Sequence, residues 1–89
     1  MTLRLCRDVT TCDTDDGLVL LDGRRGRYWQ LNTTGAAILR ALLGGARPEQ
    51  VAEQLARRQP VTPEQAAADI DDLIGRLSHA RLVERRTAP

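Results

Sequence analysis

"LVLLDGRRGRYWQLN", residues 18–32, decides how the rest of the chain is read. Leu18 to Asp22 is a short apolar run. Gly23 to Gly26 is a turn with two glycines able to take positive φ. Arg27 to Leu31 then alternates, and two runs joined by a short glycine-containing turn make a β-hairpin. On the second strand Tyr28 and Gln30 face one way, Trp29 and Leu31 the other. Tyr28 and Trp29 are the only aromatics of the 89 residues. The core must therefore be aliphatic, built from Leu, Ile, Val and Ala. At least one ring is needed to seal the sheet against other elements, which leaves the other as a rigid surface for a partner. Alternation alone does not say which ring does which.

Upstream, Leu3, Leu5 and Val9 alternate with polar residues as in a half-buried strand. "CDTDDG", Cys12 to Gly17, reads as a polar turn. Downstream the period changes to that of a helix. "NTTGAAILRALLGG" has Asn32, Thr33 or Thr34 as cap, Ile38, Leu39, Leu42 and Leu43 on one face, and Gly44–Gly45 as stop. Pro48 suits the first turn of a second helix with Val51, Ala52 and Leu55 inward. "TPEQ" opens a third: Thr62 as cap, Pro63 at the first position, Gln65 in the capping-box place. Ala66, Ile70, Leu73, Ile74 and Leu77 follow at helical spacing, and the helix ends near Ser78–Ala80. Arg81 to Arg85 makes a short terminal strand. The expected architecture is α+β: a small three-stranded antiparallel sheet followed by three helices, winged helix-turn-helix-like. Residues 1–86 form a single domain and 87–89 a frayed tail.

Composition excludes several functions. Thirteen basic residues, all Arg, against twelve acidic ones give a net charge of +1, so no bulk field draws the chain to nucleic acid or membrane. No apolar stretch approaches the ~20 residues of a membrane span. The N-terminal "MTLRLCRD" lacks the apolar run of a secretory signal, so a cytoplasmic location with Cys6 and Cys12 reduced is expected. Their spacing matches no zinc motif. Asp13, Asp15, Asp16 and Gly17 resemble a calcium loop, but its closing acid is replaced by Arg24. His79 is the only histidine and sits near a helix end, where its charge would suit the helix dipole. Asp69, Asp71 and Asp72 cannot share one helix face, since consecutive residues diverge by about 100°. No nucleophile–base pair and no phosphate loop is present. No enzyme, metal or cofactor is implied, and binding is the class that remains.

An exposed edge at Arg27–Leu31 could be completed by an extended peptide, with backbone bonds giving affinity and side-chain pockets giving specificity. Arg24, Arg25 and Arg27 gather on the hairpin, whereas the third helix carries Glu64, Asp69, Asp71 and Asp72 against Arg76. A groove between the two could orient a peptide of mixed charge.

The stretch "LVLLDGRRGRYWQLNTTGAAILRALLGG", continued by "EQVAEQLARR" and "DIDDLIGRLSHARLVE", resembles the PqqD-like family, the RiPP recognition elements, over nearly the whole chain. Its small size and the form "DGRRGRYWQLN" are most similar to the free-standing recognition proteins of lasso-peptide pathways. The resemblance implies a three-stranded sheet on three helices. It also implies a precursor leader peptide bound as an added strand along the third strand, in a cleft against the third helix. Lasso leaders typically carry a Tyr-x-x-Pro element that fills an apolar pocket there. Carried over, the strand contacts fall on Arg27, Tyr28, Trp29, Gln30 and Leu31, and the helix contacts on Ala66, Asp69, Ile70, Leu73, Arg76 and Leu77. The implied role is non-catalytic: to present the precursor to a separate leader peptidase and to the macrolactam-forming cyclase. The rival readings are a DNA-binding winged helix, a partner of a radical enzyme in another peptide-modification pathway, and a small hydrolase. The acidic third helix opposes the first, and the lack of a nucleophile–base pair opposes the last.

Overall fold

The computed structural model describes residues 2–86. The chain runs β1 (Thr2–Leu5), β2 (Val9–Thr14), β3 (Gly17–Asp22), β4 (Arg27–Asn32), α1 (Thr33–Leu43), α2 (Pro48–Arg58), α3 (Pro63–His79) and β5 (Val83–Arg86). The fold is α+β with three helices and antiparallel sheets. The tail at 87–89 lies outside the described residues.

The hairpin forms as read. Leu20 pairs with Trp29 and Leu21 with Tyr28 across β3 and β4. Asp22 shapes the turn: the backbone N–H groups of Arg24 and Arg25 each donate to its Oδ1 at 3.1 Å, and Gly26 N donates to its carbonyl at 2.9 Å. Of the two turn glycines only Gly26 takes positive φ, at 65°. At the hairpin's other end Gly17 lies opposite Asn32, and a Cβ there would sit 2.0 Å from the Leu31 carbonyl oxygen, so no side chain fits.

Two expectations about the strands need correction. Cys12, Asp13 and Thr14 are not a turn but the second half of β2, paired with Val19, Leu18 and Gly17. Only Val9 of β2 is buried, so the strand shows no alternation by which it could be recognised. The three-stranded sheet exists in the order β2-β3-β4, but Leu3 and Leu5 do not belong to it. They lie on β1, which pairs with β5 in a second sheet, Leu3 opposite Arg85 and Leu5 opposite Val83.

The helix signals hold. Asn32 caps α1, its Oδ1 accepting from Gly35 N at 2.8 Å. Arg47 N donates to the Gln50 side chain at the start of α2. Thr62 and Gln65 complete the reciprocal capping box of α3 at 3.1 and 3.0 Å. Leu20, Leu39, Leu42, Ile70, Ile74, Leu77, Leu82 and Val83 are fully buried, and the fully buried core contains no aromatic ring. The α3 stop is unusual. Ala80 N donates to Arg76 O and Leu82 N to Leu77 O, with Arg81 between them at φ 61°, where glycine is the common residue.

Candidate functional site

Antiparallel pairing satisfies only one side of a strand. Every second residue of β4 turns its N–H and C=O away from β3. Among the described residues no other strand pairs with β4, so that edge is open. On its inner face Leu31 is buried, whereas Trp29 is half-buried and packs against the core from its margin. On its outer face Tyr28 is 70% exposed beside Leu21, which is 44% exposed. The two rings therefore divide as alternation requires: Trp29 inward, Tyr28 outward.

Trp29 lines a cavity of about 420 Å³ together with Arg76, His79 and Ala80 at the end of α3, and Arg25, Arg27 and Arg81. The Arg27 guanidinium spans the end of this gap and donates to the Ala80 carbonyl at 3.3 Å. Since Arg76 and Ala80 fix which side of α3 looks toward β4, the residues three and seven positions before Arg76 follow on the same stripe. These are Leu73, partly buried, and Asp69, exposed.

The eleven residues singled out from the sequence thus separate into groups. Arg27, Trp29 and Arg76 line the cavity, and helical periodicity puts Leu73 and Asp69 on the same stripe of α3 as Arg76. Ala66, Ile70 and Leu77 are buried in the core behind that wall. Leu31 is buried beneath the strand, and Tyr28 and Gln30 point to the opposite face of the sheet. His79, Ala80, Arg81 and Arg25 line the cavity without having been singled out. In the sequence Arg25 is marked by its charge on the hairpin and His79 by its place near a helix end; Ala80 and Arg81 have only position, at a helix stop that the topology brings to the hairpin turn.

The charge pattern also differs from expectation. Asp71 lies on the other side of α3, beside Arg47 and Arg85, and Asp72 pairs with Arg76 at 3.0 Å. The hairpin end of the groove is therefore basic, whereas along α3 Asp69 shares the stripe of Arg76 and Asp72 is paired with that arginine. At the basic end burial alone would push the Asp22 carboxyl up. The backbone N–H bonds from Arg25 and Arg24, with the Arg25 guanidinium 3.5 Å away, outweigh it and hold the carboxyl below its usual value. Burial, with the Glu84 charge adding to it, pushes the Cys6 thiol up, so it lacks the thiolate character of a reactive cysteine.

Among the described residues no group of three or more His, Cys, Asp and Glu side chains is disposed to hold a metal ion, and no helix is long and apolar enough to cross a membrane. A second cavity of about 230 Å³ lies between α1 and α2, but neither β4 nor α3 lines it.

No curated protein sequence matches the chain. Three solved structures match its fold. One, described as lasso peptide synthetase B1 complexed with the leader peptide, is 39% identical, with a TM-score of 0.91 over 96% of this chain and 100% of that one. TbiB1 in complex with the TbiA(beta) leader peptide is 26% identical, with a TM-score of 0.84 over 99% and 100%. The PqqD truncation of Methylobacterium extorquens PqqCD, described as a functional, stand-alone RiPP recognition element, is 27% identical, with a TM-score of 0.75 over 93% and 88%. Residues 17–83 match the family model for coenzyme PQQ synthesis protein D. That match takes in both strands of the hairpin, all three helices and the whole wall of the groove, and the chain belongs to the PqqD family.

Proposed function

We propose that this protein is a non-catalytic recognition element that binds the leader segment of a ribosomally made precursor peptide, of the lasso class, by strand addition to β4. It then presents the precursor to a separate leader peptidase and to the macrolactam-forming cyclase. The observation that carries the reading is the open β4 edge beside a cavity shared by Trp29 and α3. It stands in a chain 39% identical to a lasso peptide synthetase B1 complexed with the leader peptide. Backbone bonds to the edge supply affinity that does not depend on sequence, and the cavity beside it supplies selectivity. The strand contacts run from Arg27 to Leu31. On the helix Asp69, Leu73 and Arg76 meet the peptide, with Ala66, Ile70 and Leu77 as the apolar support behind them. Because both walls belong to the packed fold, little ordering entropy opposes binding. Residues 1–86 act as one leader-binding unit, in the cytoplasm, with Cys6 and Cys12 as free thiols.

In a winged helix-turn-helix reading of the same fold, α3 would be the helix that reads DNA. Its surface opposes that role: Glu64, Asp69, Asp71 and Asp72 are exposed, and Arg76 is paired with Asp72. Fluorescence anisotropy with a labelled leader peptide, taken from a precursor gene in the same cluster, separates the readings. Saturable binding to the leader and none to random duplex DNA is expected. Steeply salt-dependent binding to the duplex without binding to the leader would overturn the proposal. A neighbouring radical-enzyme gene, in place of a peptidase and a cyclase, would move the protein to another peptide-modification pathway.

A further inference from the structure

Four of the thirteen arginines, Arg25, Arg27, Arg76 and Arg81, line the single cavity beside Trp29. Two of them have carboxylate partners: Arg25 pairs with Asp22 and Arg76 with Asp72. Arg27 reaches only a neutral carbonyl, that of Ala80, and among the described residues Arg81 has no ion-pair or side-chain hydrogen-bond partner. Among the described residues no acidic one lines the cavity, and His79 does. The negative end of the α3 dipole lies here, but it amounts to about half a charge and does not balance two uncompensated guanidinium groups.

Arg81 adds an independent observation. It occupies the left-handed position of the α3 stop at φ 61°, between the bonds from Ala80 N and Leu82 N. Glycine is the usual residue there, so the helix stop does not call for an arginine side chain. The position does bring Arg81 into the lining of the cavity with Arg25 and Arg27, and into that of a neighbouring one with Arg24 and Glu84, whose carboxylate is paired with Arg4.

From this cluster we infer that the hairpin end of the groove is a carboxylate-binding subsite, taking an Asp or Glu side chain of the peptide that pairs with β4. This rests on the leader-binding reading and adds direction to it. Backbone pairing alone is tolerant of register, since each two-residue slip restores the same bonds. An anionic side chain over Arg27 and Arg81, at one end only, selects a single register. Asp69, on the same helical stripe two turns before Arg76, disfavours an acid at the other end.

The test needs no knowledge of the natural precursor. A displayed peptide library with a fixed Tyr-x-x-Pro and randomised flanks on both sides is selected on the wild-type protein and on the Arg81→Gly and Arg27→Gln variants. Glycine suits the Arg81 backbone, so Arg81→Gly keeps the fold. Wild type should enrich Asp and Glu about fivefold on one flank only, and each variant should reduce that enrichment. A selected peptide should then bind wild type several-fold more weakly once its Asp and Glu are changed to Asn and Gln. Binders with no acidic preference, or with one on both flanks, would overturn the subsite and leave leader binding standing. A library that yields no binders would overturn leader binding itself.

Discussion

The three-stranded sheet has two free edges, and they are not equivalent. Along β2 the side chains are Thr10, Thr11, Cys12, Asp13 and Thr14, all exposed, and Asp13 is held by Arg40 from α1. Along β4 the inward side chains are Trp29 and Leu31, and a cavity opens between the strand and the end of α3. Both edges offer the same unpaired backbone groups. Only one offers them beside a wall. Edge strands are hazards when apolar and uncovered, and β2 answers that hazard with a polar, charge-bearing strand. β4 keeps its apolar character beneath the strand, with α3 standing opposite.

Substitutions can break this contrast or sharpen it. The largest effect belongs to the strand the two edges share. Leu20 is fully buried at the centre of β3, and Leu20→Ala should cost about 2–5 kcal/mol, measured by urea unfolding, and abolish both edges together. A loss well under 1 kcal/mol would mean that β3 is not the anchor of the sheet.

Trp29→Ala comes next. Leader affinity should fall about thirtyfold or more by calorimetry, as for a central interface aromatic, while Thr11→Ala on the other edge changes it less than about twofold. Equal effects from the two would erase the distinction between the edges. Leu73→Ala and Tyr28→Ala should weaken binding by smaller factors, yet by more than Arg86→Ala, which lies on β5 away from the groove. Identical affinities for all three would refute the assignment of the groove.

The wall itself can be loosened. Thr62→Ala removes the cap of α3 and should lower stability by about 1 kcal/mol in thermal melts, with a modest loss of leader affinity. The smallest effect is pH-dependent. Asp22 has a lower pKa in the folded chain than its ordinary 3.8. Its contribution is therefore complete above that value and is lost as the pH falls through the lower folded one. Asp22→Asn should be less stable than wild type at pH 7, and the gap should close in acid. A gap that stays constant down to pH 2 would show that the carboxylate charge plays no part in the hairpin turn.

Much of this organisation could be read in advance, for reasons visible in particular residues. The hairpin of residues 18–32 and the capping box of Thr62 and Gln65 are local signals, and local physics decides them. β2 escaped because it is exposed on both faces, so its residues never alternate; only pairing with β3 makes it a strand. The β1–β5 pair escaped because alternation at Leu3 and Leu5 announces a strand without naming its partner, here some eighty residues away. On the strand, alternation separated the two rings but did not say which faced inward; the structure puts Trp29 on the cavity and Tyr28 on the opposite face. On the helix the resemblance implied Ala66, Asp69, Ile70, Leu73, Arg76 and Leu77 without separating core from surface; the structure buries Ala66, Ile70 and Leu77 and puts Arg76 on the cavity. Nothing in the sequence marked Arg81, because a left-handed helix stop is ordinarily announced by glycine.

Trp29 is the sole tryptophan of the chain and stands half-buried at the mouth of the cavity. Excited at the red edge of its absorption, where Tyr28 scarcely absorbs, its indole is thus a built-in optical probe. A ligand laid over it withdraws water from the ring and shifts the emission to shorter wavelength, whereas unfolding shifts it the other way. Occupancy and integrity of the groove are readable from the unlabelled protein, in one cuvette, by the sign of a single spectral displacement.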